Sequence, residues 1–128
     1  MGIVDEDRYK GPAAKYFSNF EIIGEANNLI LKRHKERKQY LILICPEIEK
    51  WLMWNASFVN VDPASYKLPN ELKGFKQLTK IRDIDKNNEF YRFIKELIKK
   101  EAPGIIALKV WIELFKANQL DSIKNGAV

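Results

Sequence analysis

Near the start of the chain, the stretch "IVDEDR" sets three consecutive carboxylates, Asp5, Glu6 and Asp7, directly behind two strand-forming apolar residues. In an extended segment alternate side chains share a face, so Asp5 and Asp7 point one way and Glu6 the other. Two carboxylates about 6 to 7 Å apart along a strand can share a hard cation such as magnesium, which takes oxygen ligands and retains waters. Magnesium held there positions and polarises a phosphodiester. The other reading of the same residues is a solvated chain terminus.

A second acidic pair, Glu47 and Glu49, follows Pro46 in "CPEIEKWL". In a first helical turn such residues complement the positive end of the helix dipole, which accounts for at least one of them. Taken together, "VDED" and "CPEIEKWL" resemble the Toprim-like (topoisomerase-primase) domains, particularly the standalone forms of bacterial defence proteins and related nucleases. Those domains carry a D-x-D at the end of a sheet strand, matched here by Asp5-Glu6-Asp7. Some also have a strand that runs into a P-x-x-E-x-W-L helix start, matched by Pro46 to Leu52. The resemblance covers residues 3–55. It implies magnesium-dependent chemistry on nucleic-acid phosphodiesters, or a degenerate descendant of it, with the metal on Asp5 and Asp7 and with Glu49 or Glu47 as a further catalytic carboxylate.

The family pattern also has a glutamate beside a glycine at the end of an earlier strand, acting as general acid or base. The D-x-D strand is the first in this sequence, so no residue here is assigned that role: the chain is either a fragment of a longer reading frame or a member without the complete machinery. Gly24-Glu25 has the right residue types but follows the D-x-D strand and does not inherit it. That departure favours an alternative, a non-catalytic module that contacts protein or nucleic acid, with its carboxylates serving solubility and capping.

Lysine makes the other chemical pattern. The net charge of +5 is uneven: residues 1–64 carry nine basic and nine acidic side chains, and residues 65–128 carry thirteen and eight. In the basic half, Lys73, Lys76 and Lys80 recur at i, i+3 and i+7, flanked by Lys67 and Arg82. Such a stripe can neutralise phosphates, a contact that positions nucleic acid without reading its sequence. Solvated lysines on a helix face are the plainer explanation, and binding expected from them is weak and nonspecific.

The single cysteine, Cys45, excludes an intrachain disulfide and any multi-cysteine zinc site. It reads as a small buried hydrophobe, or as a thiol activated at a helix N-terminus. His34 sits in a basic run near a turn. Trp51, Trp54, Phe90, Phe93, Trp111 and Phe115 fall at helical spacing and read as core rather than as a stacking platform.

Positioning these groups falls to a chain of 128 residues, 46% hydrophobic and 30% charged, which fits one globular domain over 1–128. No apolar run is long enough for a membrane span, and the start lacks the order of a signal peptide, which predicts a soluble, cytoplasmic protein without a membrane partner. "YLILI" (Tyr40 to Ile44) has no polar alternation, as expected of a strand covered on both faces. "NLILKRH" pairs with it through a hairpin closed by "KERK". A helix with Ala26, Leu29, Ile30 and Arg33 on one face is the alternative.

Pro46 suits the first position of a helix over 46–56, with Ile48, Trp51, Leu52 and Asn55 on one face. "NVDPASYKLPN" reads as a loop. A short helix starts with Asn70 as cap and is weakened by Gly74. Helices over 88–100 and 104–118 follow, with stripes through Phe90, Phe93 and Leu97 and through Leu108, Trp111 and Phe115. Residues 121–128 form a frayed tail. The fold expected is α/β and Toprim-like: a small central sheet including Ile3-Val4 and Tyr40 to Ile44, covered by helices, with strands mainly over 1–45 and helices over 46–120.

Overall fold

The computed structural model describes residues 1–6, 14–81 and 84–122. Among them the elements are β1 (Gly2–Asp5), α1 (Ala14–Phe17), β2 (Phe20–Ala26), β3 (Leu29–His34), β4 (Tyr40–Ile44), α2 (Ile48–Phe58), α3 (Leu72–Thr79), α4 (Asn88–Lys99) and α5 (Pro103–Lys116), with short 3-10 turns between some of them. The protein is α/β, as its sequence implies. It divides into two compact units, Met1–Ile48 with Ala107–Val128, and Glu49–Ile106.

The first unit holds a mixed sheet in the order β1-β4-β3-β2. All five residues of β4 are buried. A strand of that kind needs cover on both faces and a hydrogen-bonding neighbour on both edges. The neighbours are β1, parallel, and β3, antiparallel. On one face Leu41 packs with Phe17, Phe20 and Val4. On the other, Tyr40 meets Phe115 of α5 edge-to-face at 5.9 Å. The "KERK" hairpin is held by His34, whose Nδ1 accepts the backbone N–H groups of Glu36 and Arg37, both at 3.1 Å.

Strand β2 is an addition to the sequence reading. It joins β3 through Asn27 and Asn28, both with positive φ (49° and 62°), the left-handed pair that a tight hairpin turn requires and that asparagine tolerates. Its register shifts between Ile22 and Gly24. Strand β1 ends at Asp5, so the extended alternation invoked for Asp5-Glu6-Asp7 stops there, and Asp7 lies outside the described residues. The chain beyond Leu120 continues as a 3-10 turn, Leu120–Ser122. Arg33 Nε lies 2.8 Å from Asp121 Oδ1, an ion pair not aligned as a hydrogen bond. The Tyr40 hydroxyl and then the Arg33 charge hold the Asp121 carboxyl below its ordinary pKa.

In the second unit, α2 begins at Ile48 rather than at Pro46, and α3 has Glu71 rather than Asn70 at its N-cap. "NVDPASYKLPN" contains a 3-10 turn, Pro63–Tyr66, capped by Asp62 Oδ1 on Ala64 N–H at 2.9 Å. Phe75 and Phe93, both fully buried, meet at 5.9 Å. Asn87 caps α4 by accepting from Phe90 N–H at 2.8 Å.

The most constrained polar group is Asn55, fully buried on the apolar stripe of α2. Its Nδ2 donates to the Trp51 carbonyl at 2.8 Å and its Oδ1 accepts from Gly104 N–H at 2.7 Å. Gly104 N–H is a donor that α5 itself cannot satisfy in its first turn. A Cβ on Gly104 would lie 2.6 Å from Asn55 Nδ2 and 2.7 Å from the Trp51 ring, so only glycine fits. Asn55→Ala is expected to cost about 2 to 3 kcal/mol by orphaning a buried N–H, and Gly104→Ala about 1 to 3 kcal/mol by overpacking. Urea unfolding monitored by tryptophan fluorescence checks both.

Candidate functional site

The carboxyl end of a parallel strand pair is where open α/β sheets place ligands, and here that pair is β1 and β4. Asp5, the last residue of β1, stands opposite Ile44. Its Oδ1 accepts the backbone N–H of Ile48, the first residue of α2, at 3.0 Å. That N–H has no intrahelical partner, so the carboxylate acts as a cap supplied from another strand.

Glu6 leaves the strand and lines a cavity of about 400 Å³ with Glu25, the Asn27 and Asn28 turn, Ile30 and Cys45. The Cys45 N–H donates to the Asn28 carbonyl at 2.9 Å, which fixes the turn against the end of β4. Burial first, then the Glu6 and Glu25 carboxylates, push the Cys45 thiol from 9.0 up to about 11. This is the reverse of activation: the surroundings oppose a thiolate.

The remaining carboxylates named from the sequence are placed differently. Glu47 is half-buried just before α2. Glu49 belongs to the second unit, where its Oε1 accepts the Thr79 hydroxyl at 2.9 Å. Among the described residues, no group of three or more histidine, cysteine, aspartate or glutamate side chains is arranged to hold a metal ion.

The three lysines are brought together. Lys73, Lys76 and Lys80, with Leu72 and Gln77, line one shallow, open surface cavity of about 500 Å³ along α3. Lys73, Gln77 and Lys80 are exposed and Lys76 is half-buried. At about 100° per residue, the three ammonium-bearing positions and Gln77 fall within about 100° of the helix circumference. Phe75 on the opposite side is fully buried and anchors the helix. Among the described residues, no helix is long and apolar enough to cross a membrane.

No family model, curated protein or solved structure matches the chain. The chemistry of its own residues therefore carries the functional reading.

Glu6 and Glu25 are the site residues that sequence reasoning passed over. Alternation turns Glu6 away from Asp5, and Glu25 follows the D-x-D strand in chain order, so neither stands out in the sequence. The Asn-Asn pair was a usable signal for the hairpin that brings Glu25 to the cavity.

Two outcomes are expected here. At pH 8, Cys45 should react with iodoacetamide about a hundredfold more slowly than a free cysteine, in proportion to its lost thiolate, and Glu6→Gln should speed the reaction. Asp5→Ala should cost about 1 kcal/mol in urea unfolding and Asp5→Asn much less, because the amide oxygen still caps Ile48.

Proposed function

We propose that this chain is a non-catalytic module that holds the phosphate backbone of nucleic acid on one face of α3. The observation that carries this reading is the shared cavity of Lys73, Lys76 and Lys80. Two of the carboxylates that a catalytic reading would use have structural work: Asp5 caps Ile48 and Glu49 accepts from Thr79. Lysine ammoniums supply point charge without the bidentate geometry of arginine, so binding is weak and indifferent to sequence.

The expected behaviour is a steep fall in affinity with salt as condensed counterions are released. Replacing all three lysines with glutamine should reduce the slope of log affinity against log salt by about two to three units while leaving the circular dichroism spectrum unchanged. Fluorescence anisotropy with a labelled duplex measures it. An unchanged slope, or no binding at low salt, removes the reading.

The Toprim-like reading stands second, favoured by the position of Asp5 at the carboxyl end of β1 beside its parallel neighbour. Hard oxygen donors suit magnesium, and on this reading Asp5 and Asp7 would hold it, with Glu47 or Glu49 as a further acidic group. The metal would polarise a nucleic-acid phosphodiester. The described residues fit it incompletely, since Asp5 Oδ1 already accepts an N–H and Asp7 is not among them. Magnesium titration by NMR decides: amide shifts around Asp5 that vanish in Asp5→Asn favour the metal, and no shift at millimolar magnesium removes it.

A further inference from the structure

The α3 cavity also bears on what part of a nucleic acid it contacts. Its lining among the described residues is three lysines, one glutamine and one leucine. No aromatic ring is among them, whereas proteins that grip single strands through their bases present rings for stacking. Of the exposed rings of this unit, Tyr91 is on α4 with Lys95 over its face, and the pair Trp54 and Phe58, 6.0 Å apart, is on α2. Glu49 of that helix reaches Thr79 of α3, and Trp54 and Phe58 lie about 140° and 180° round the helix from Glu49. The Trp54 and Phe58 rings therefore point away from α3.

Among the described lining residues Gln77 is the amide able to pair with an adenine edge, while the lysines, whose ammonium groups lack a planar fork, meet phosphate as point charges. By helical geometry Gln77 sits at the margin of the polar arc, about 40° beyond Lys73, while Lys80 and Lys73 occupy the middle. An approaching ligand therefore meets ammonium groups first. Along the axis Lys73 to Lys80 spans about 10 Å, enough to meet about three successive phosphates of one strand.

We infer that the α3 cavity recognises phosphates strung along a linear chain with no contribution from the bases, so that inorganic polyphosphate occupies it as nucleic acid does. This rests on the phosphate-binding reading of α3 and names the part of the ligand that is sufficient. Among duplexes of equal length, base sequence has no effect on binding.

The test is displacement of a labelled oligonucleotide from the intact chain by inorganic polyphosphate, with orthophosphate at matched ionic strength as the control. Polyphosphate is expected to displace the probe at the same total phosphate concentration as unlabelled DNA, and orthophosphate is expected to leave it bound. Lys73→Gln, Lys76→Gln and Lys80→Gln together should abolish binding of both polymers, and Trp54→Ala should change neither. If DNA binds but polyphosphate displaces it no better than orthophosphate, or if Trp54→Ala weakens DNA binding, the inference is overturned while the phosphate-contact reading survives. If the wild-type chain binds no DNA at low salt, the earlier reading itself fails and takes this inference with it.

Discussion

Burying a whole strand is the constraint from which the first unit follows. Each residue of β4 presents a backbone donor and acceptor that must be paired out of contact with water, and its side chains need apolar cover on both sides. The β3 hairpin supplies one edge locally. The other edge is closed by a strand from the start of the chain, running parallel, and a parallel partner delivers its last residue to the same end of the sheet as the end of β4. That is why Asp5 arrives beside the first residue of α2. The position that makes it look like a metal ligand is the same position that lets it cap a helix.

The two chemical surfaces differ in how far they depend on the fold. Glu6, Glu25 and Cys45 come from three separate segments and meet because the sheet order brings the β2 to β3 turn to the end of β4. The lysines of α3 need only one helix and one anchor, Phe75. A surface of the first kind is lost when topology is disturbed. The second persists wherever the short helix forms, and Gly74 marks what that helix demands, since a Cβ there would lie 2.9 Å from Pro69.

The same distinction sets what was legible in the sequence. The lysine stripe, the β3 to β4 hairpin and α4 rest on local periodicity, and each was readable as such. Strand β2 was hidden because "FEIIGEA" does not alternate: the register shift between Ile22 and Gly24 inserts a residue, and the period of two is broken where it would be counted. Asn55 was placed on the correct helical face, but its partner is 49 positions away and no pattern announces it. The start of α2 was misplaced by two residues because proline suits a first helical position, whereas here Asp5 provides the cap at Ile48. Glu6 and Glu25 could not be joined without the sheet order.

The irregularity of β2 has a further effect on how the molecule behaves in a crowd of its own copies. A sheet edge offers unpaired backbone groups to any passing strand, and a flat apolar edge invites stacking without end. Here the terminal strand has an exposed isoleucine, Ile22, beside the exposed carboxylates Glu21 and Glu25, with a kinked ladder between them. A second chain laid against it would find its hydrogen bonds out of step after three residues and would bring like charges together. The bulge that obscured the strand thus guards that side of the sheet against fibrous aggregation, at the cost of one mispaired residue.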